Sequence, residues 1–358
     1  MNVEERLKLI SEVGEEIVTE EELRTLLETK KHPIAYDGFE PSGDVHIAQG
    51  VMRAINVNKM TKAGVKFKMF VADWHAWANN KMGGDLDKIQ TVGKYLIEVW
   101  RSTGMDLDNV QFIWASELVK DDSYWMKVMK VATSTTINRI LRCSQIMGRT
   151  EKEAQQASQI LYPCMQAADI FHLEADICQL GMDQRKVNML ARELGEKLGY
   201  WKPVIVSHHM LMGLGQPPTT GLSGAERGIE LKMSKSKPET AIFMTDSAED
   251  IKRKINKAYC PAQQTVDNPI LEYARYMIFE KFKELKIERP AKFGGDVVFT
   301  FYSELEKAYD AGDLHPLDLK KAVGVYVDKM VDPVRKHFEK NKKAKALLNQ
   351  VKSFQVTR

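Results

Sequence analysis

Short apolar runs bounded by turn residues alternate with helical stretches through the first two thirds of the chain, and this alternation restricts the fold more than any other feature. Pro33-Ile-Ala-Tyr36, Phe67-Lys-Met-Phe-Val-Ala72, Val110-Gln-Phe-Ile-Trp114, Asp176-Ile-Cys-Gln-Leu180 and Val204-Ile-Val206 read as strands. Between them, His46 to Lys62 and Gln184 to Leu198 read as helices, and a helix opened by Asp85 carries Leu86, Ile89, Val92, Leu96 and Val99 on one face. Strands alternating with amphipathic helices build βαβ units, so the expected class is α/β, a parallel sheet covered on both faces.

The rest of the chain is organised around that sheet. Residues 1 to about 30 read as helix, with Leu7, Ile10, Val13 and Ile17 at helical spacing and a capping box in Thr19-Glu-Glu-Glu22. The span from about 121 to 171 is expected to be a helical insertion between two halves of the sheet. Beyond about Ala241 strand signals fade. Helical stretches from Glu249, Ile270, Ser303 and Leu317 are broken by Pro261, Pro269, Pro290 and Pro316. The expectation is a catalytic domain over 1–241 and an all-α C-terminal domain over 242–358.

Composition narrows the class further. At 358 residues, with 44% hydrophobic and 28% charged residues, the chain has the balance of a globular protein of about two domains. No apolar run reaches the ~18 residues of a membrane span, and Met1 to Thr29 lacks the basic-then-apolar order of a secretory signal. Cys143, Cys164, Cys178 and Cys260 are scattered without CxxC spacing, which argues against a zinc site or disulfide framework and fits small buried hydrophobes in a cytoplasmic protein. No protein-ligated metal is expected. The segment Lys281–Arg358 holds 17 Lys and Arg against 11 Asp and Glu, although the whole chain is only +3. This basic bias fits a polyanionic partner or a solvated helical surface.

Two familiar nucleotide signatures are missing: no GxGxxG follows the first strand of the alternating pattern, and no GxxxxGK[ST] occurs. In their place stands Gly38-Phe-Glu-Pro-Ser-Gly43-Asp-Val-His46-Ile-Ala-Gln49, a glycine-bounded turn that delivers a histidine to a helix start. A helix N-terminus offers free N–H groups and partial positive charge to phosphate, while a plainer turn histidine would only cap the helix. Downstream, Leu231-Lys-Met-Ser-Lys-Ser-Lys-Pro238 follows a glycine-rich approach. Its lysines and serines can supply donors to a triphosphate on a mobile loop, and a solvated basic loop is the alternative.

These elements resemble the signatures of class I aminoacyl-tRNA synthetases: His46-Ile-Ala-Gln49 is similar to HIGH, and Lys232-Met-Ser-Lys-Ser236 matches KMSKS. The resemblance sharpens to the tyrosyl-tRNA synthetase family, archaeal and eukaryotic type. It is carried by Ala35-Tyr-Asp-Gly-Phe-Glu-Pro-Ser-Gly43, Val71-Ala-Asp-Trp-His-Ala76, Leu161-Tyr-Pro-Cys-Met-Gln166 with Asp169, and Gly181-Met-Asp-Gln-Arg-Lys186. Ala258-Tyr-Cys-Pro261, Lys292-Phe-Gly-Gly-Asp296 and Leu314-His-Pro-Leu-Asp-Leu-Lys320 extend it to the C-terminal region. One departure stands out, since Ala48 and Gln49 occupy the positions usually held by Gly and His.

The resemblance implies a Rossmann-type catalytic domain, a homodimer, and partners ATP with Mg²⁺ as its substrate complex, L-tyrosine and tRNA(Tyr). It implies that a tyrosine carboxylate attacks the α-phosphorus of ATP, a reaction that needs positioning and cations rather than a general base. His46, Lys232 and Lys235 would be catalytic. Gly38, Gly43, Gln49, Gly181, Asp183, Met233 and Ser234 would complete the ATP site. Tyr36 and Asp169 would meet the phenol hydroxyl, and Tyr162, Gln166 and Gln184 the α-amino group. Tyr162, Gln166 and Asp169 fall on one helical face, a polar set that is poor core design without ligands or partners. For tRNA, the first anticodon base would lie between Phe293 and the His315-Pro316 pair with Asp318 at its edge, and Arg185 and Lys186 would serve the acceptor end. The plainer alternatives are a core Phe293 and a helix-capping Asp318. Rival readings are tryptophan activation, a catalytically silent RNA-binding relative, and another nucleotidyltransferase with an HxGH turn.

Overall fold

In the computed structural model, which describes residues 1–143, 156–218, 221–222 and 224–354, six strands form the central sheet. They are β1 (Glu16–Val18), β2 (Ile34–Phe39), β3 (Lys66–Val71), β4 (Val110–Trp114), β5 (Ile177–Cys178) and β6 (Val204–Ser207), in the order β1-β6-β5-β2-β3-β4. Every pairing is parallel except β1 with β6. The chain builds outward from β2 through β3 to β4, then crosses to the other side of β2 for β5 and β6. The direction therefore reverses between β2 and β5, and in open α/β sheets ligands lodge in the crevice that such a reversal leaves at the carboxyl ends of the strands.

The sheet is buried on both faces because successive strand residues point to opposite sides. Ala35, Met69, Val71, Ile177, Val204 and Val206 join one hydrophobic cluster, while Tyr36, Phe70, Cys178 and Ile205 join another. The Leu86–Ser102 helix, capped by Asp85 as expected, packs Trp100 and Tyr95 into the first cluster. That cluster continues without a break into the C-terminal helices through Ile251, Val323 and Phe338, the last 5.3 Å from the Tyr95 ring. The second cluster is roofed by the Asp122–Thr133, Ile137–Leu141 and Ala157–His172 helices of the expected insertion, whose residues 144–155 lie outside the described residues.

Three local readings change. Residues 1–30 are two helices, Val3–Ser11 and Glu20–Thr29, separated by β1, so Ile17 belongs to a strand. Pairing of Ile17 with Val206 and of Glu16 with Ser207 along the sheet edge outweighs the helical spacing, while Thr19 and Glu22 do form the capping box. The stretch after His46 begins as a wide π turn over Ala48–Met52 before the Arg53–Lys62 helix. The helical C-terminal region, which includes Ala248–Lys257, Tyr302–Asp310, Pro316–Lys340 and Lys342–Ser353, also carries a short antiparallel hairpin of β7 (Leu285–Ile287) and β8 (Val297–Phe299). Its strands have three residues each, too few for a clear period-2 signal.

Candidate active site

A cavity of about 960 Å³ opens at the reversal between β2 and β5. Its walls come from the end of β2 and the turn after it, the Ala157–His172 helix, the segments after β5 and β6, and residues 232–236. These pieces are far apart in the chain. The parallel sheet brings their loops to one edge.

Among the residues that line the cavity are those expected to read a phenol. Tyr36 is 1% exposed, and its hydroxyl has no hydrogen-bond partner among the described residues. Asp169 is likewise 1% exposed. Its Oδ1 accepts from Tyr124 Oη at 2.9 Å and its Oδ2 lies 2.9 Å from His75 Nε2. Burial opposes charge on His75, but the Asp169 carboxylate outweighs it and the histidine pKa is raised. Tyr124 and His75 thus aim the carboxylate, and neither was assigned a role from the sequence. His75 stands inside a matched stretch, whereas Tyr124 carried no signal of its own. Toward the mouth, Gln166 Nε2 donates to Gln184 Oε1 at 3.0 Å, and Tyr162 packs edge-on to His75 with ring centroids 5.0 Å apart.

The nucleotide side is built around His46. Ile47 N donates to Ile242 O and Met244 N donates to Val45 O, both at 2.8 Å, so the turn is stitched to residues 242–244. A Cβ at Gly50 would lie 2.5 Å from Met244 Sδ, so a side chain there would require that buried methionine to move. Gly43 takes φ of 107°, a conformation glycine adopts freely; it shapes the turn, while Gly38 and Gln49 line the cavity. Burial, with Lys235 and Lys232 nearby, lowers the His46 pKa to about 3, so the ring is neutral near pH 7. Its Nδ1 accepts from Gln49 N at 3.4 Å, which leaves the proton on Nε2 as a donor.

The 232–236 loop closes the other wall. It is tied to residues 211–213 by Gly213 N to Leu231 O at 3.0 Å and Met233 N to Leu211 O at 2.8 Å. Lys232 Nζ lies 2.7 Å from Asp183 Oδ2, and Lys235 Nζ lies 3.4 Å from Ser42 Oγ. Burial lowers the Lys235 pKa to about 8 against the pull of Asp44 and Glu40. Met233, Ser234 and Gly181 also line the cavity, and a Cβ at Gly181 would meet Met210 Sδ at 2.5 Å.

Beneath the nucleotide side, Arg53 is 1% exposed and pairs with Asp37 at 2.8 Å. It also bonds Gln179 and lies 2.9 Å from His208 Nδ1, which ties together β2 and the segments after β5 and β6. His209, raised to about 9 by Glu15 and Glu272 in spite of burial, adds a cation to the wall. No sequence signal singled out Arg53, which opens a helix that also carries Asn56, Asn58, Lys59 and Lys62. For His208 and His209 only the tertiary structure shows the placement.

The expected tRNA residues lie outside this cavity. Phe293 is 58% exposed with Lys292 Nζ 4.9 Å from its ring, so it is not a core residue. His315 caps the Pro316–Lys340 helix, its Nδ1 accepting from Leu317 N at 3.2 Å. Asp318 in the first turn is therefore not the cap, and its carboxylate has no hydrogen bond or ion pair among the described residues. Arg185 pairs with Glu16 at 2.6 Å, and the Lys186 carbonyl accepts from Arg139 Nη2 at 3.4 Å. Among the described residues no group of three or more His, Cys, Asp or Glu could hold a metal ion, and no helix is long and apolar enough to cross a membrane.

A histidine turn and a KMSKS loop facing each other across the switch point of a parallel sheet define a class I aminoacyl-tRNA synthetase. The family description "tRNA synthetases class I (W and Y)" matches residues 28–332. The cytoplasmic tyrosine–tRNA ligase 1 of Arabidopsis thaliana is 52% identical over 99% of this chain and 90% of its own. The tyrosyl-tRNA synthetase of Pyrococcus horikoshii, solved with L-tyrosine, superposes with a TM-score of 0.91 at 40% identity, covering 98% of this chain and 100% of that one. That of Leishmania major, solved with tyrosinol, gives 0.90 at 45% identity over 99% of this chain, which spans about half (53%) of the Leishmania chain. The chain belongs to the tyrosyl-tRNA synthetase family.

Proposed function

We propose that the cavity activates L-tyrosine with ATP and passes it to tRNA(Tyr), the phenol lying against Tyr36 and Asp169 and the triphosphate between His46 and the lysine loop. As a tyrosine–tRNA ligase, the chain forms tyrosyl-adenylate and then charges the 3′ end of tRNA(Tyr). In the first step the tyrosine carboxylate bonds to the α-phosphorus and pyrophosphate leaves. Negative charge grows on phosphate oxygens, where neutral His46 donates from Nε2 and Lys232 and Lys235 supply cations. Mg²⁺ arrives with ATP as part of the substrate. Asp183 and Gly181 serve the ribose, and Gln49 keeps a donor near the phosphates where an imidazole is usual.

The observation that carries the amino-acid assignment is the buried Tyr36 hydroxyl, which makes no hydrogen bond among the described residues, facing the same cavity as an Asp169 carboxylate aimed by Tyr124 and His75. A ligand hydroxyl can donate to the carboxylate and accept from Tyr36, whereas phenylalanine would bring no donor to the carboxylate and leave the Tyr36 hydroxyl unpaired. The test is pyrophosphate exchange with the standard amino acids offered one at a time. Tyrosine is expected to support exchange and phenylalanine and tryptophan to fail; preferential exchange with tryptophan would reassign the pocket.

The same reading gives residues 1–241 to catalysis and 242–358 to the anticodon, with Phe293, His315, Pro316 and Asp318 around its first base and Arg185 and Lys186 toward the acceptor end. Exposed Phe293, and an Asp318 carboxylate with no partner among the described residues, support the anticodon assignment. A homodimer is supported by Met126, Met129 and Ile137, which are 62%, 55% and 66% exposed on the insertion. The named cytoplasmic relative supports a cytoplasmic location.

A further inference from the structure

We infer that Arg289 is a positioning residue for anticodon recognition, latching the loop that carries Phe293 to the start of the helix that carries Asp318. The inference rests on the anticodon reading above. The loop joins β7 to β8 and folds on itself, with Phe293 N and Gly295 N both donating to Pro290 O at 2.9 and 3.3 Å. Those bonds hold its shape but fix nothing outside it. Arg289 does so. Its Nε donates to Gly295 O at 2.7 Å, and its Nη1 donates to Asp313 O at 2.7 Å. Asp313 stands two residues before His315, the cap of the Pro316–Lys340 helix.

One guanidinium therefore spans the two segments that must face each other if a base is to lie between Phe293 and His315. The backbone around it is built for this close approach. Gly294 and Gly295 take φ of 97° and 69°, and a Cβ on Gly294 would sit 3.1 Å from Arg289 Nη2. The loop end is held as well, since Arg289 N donates to Asp296 Oδ1 at 3.2 Å and Lys286 lies 3.1 Å from Asp296 Oδ2. A planar fork of fixed donors can bridge two carbonyls in this way, whereas an ammonium is a point charge on a flexible stem. Stacking on an exposed aromatic ring needs that ring at a set distance from the opposing surface, and Arg289 sets it without touching the base.

The experiment compares Arg289→Lys and Arg289→Met with the unaltered enzyme in tRNA-free pyrophosphate exchange and in tRNA charging. Charging uses both tRNA(Tyr) and a transcript with its first anticodon base replaced. The expected result is unchanged exchange and a loss of about tenfold or more in kcat/KM for tRNA(Tyr) in both variants. The loss should shrink toward nothing on the altered transcript, because the contact that the latch positions is already gone. Rescue by lysine would assign Arg289 to a phosphate contact and overturn the proposal. So would a parallel fall in exchange, which marks a folding defect, or a loss of equal size on both transcripts. Phe293→Ala and Asp318→Ala, run alongside, separate the failures: if they leave charging untouched, the anticodon reading itself fails whatever Arg289 does.

Discussion

Lys232 Nζ sits 2.7 Å from Asp183 Oδ2, so a lysine expected to meet ATP phosphate and a carboxylate expected to hold its ribose neutralise each other across the cavity. On the proposed reading a nucleotide exchanges this pair for its own contacts, and Lys232 then meets the phosphates. Lys232→Ala is expected to slow adenylate formation while leaving tyrosine binding, measured by equilibrium dialysis, nearly unchanged. Removal of one such contact typically costs about 2.7–4 kcal/mol of transition-state stabilisation. Equal exchange rates in the variant and the unaltered enzyme would remove Lys232 from the mechanism.

Lys235 gives the site a pH signature. Its pKa is lowered to about 8 by burial, so its charge is present below that pH and is lost as pH rises through it. His46, lowered to about 3, stays neutral throughout the neutral range and adds no limb there. In exchange assays kcat/KM for ATP, which reports the free enzyme, is expected to fall above about pH 8. Lys235→Arg should abolish that limb, since arginine keeps its charge. Identical alkaline limbs in the two proteins would sink the assignment.

The phenol end separates selectivity from stability. Tyr36→Phe deletes a hydroxyl that has no partner among the described residues, so thermal stability should hold or rise. The kcat/KM for tyrosine is expected to fall by about 0.5–1.5 kcal/mol, the worth of one hydrogen bond, with phenylalanine use unchanged. Asp169→Ala should erode discrimination further and also lower stability, because Tyr124 and His75 lose their shared acceptor. If tyrosine keeps its full advantage over phenylalanine in Tyr36→Phe, the hydroxyl is not read there.

Phe293 and Asp318 are not among the residues that line the cavity, so on the proposed reading anticodon recognition and adenylate chemistry should be separable. Asp318→Ala is expected to lower tRNA charging by about 1–3 kcal/mol, the range of a good base-edge contact, and to leave tRNA-free exchange intact. The penalty should be smaller on a tRNA whose first anticodon base is changed. A parallel loss of exchange would point instead to damage at the start of the Pro316–Lys340 helix.

Local chemistry was legible in the chain. Strand alternation placed β2, β3, β4 and β6 to within a few residues, Asp85 and Thr19 announced their helices, and the His46 turn, the lysine loop and the Tyr162, Gln166 and Asp169 face marked the cavity that the fold assembles. These are short-range signals, because capping, periodicity and signature spacing depend on neighbours along the backbone. What only the tertiary structure decided depends on residues distant in sequence. Edge pairing with β6 turned Ile17 into a strand residue, Tyr124 and His75 arrived from separate helices to hold Asp169, and Arg53 found Asp37, Gln179 and His208 in three other segments. Arg289 likewise gained its role only when a hairpin loop folded against the carbonyl of Asp313. A buried charge needs partners, and which partners it receives is set by how the sheet and helices pack rather than by spacing along the chain.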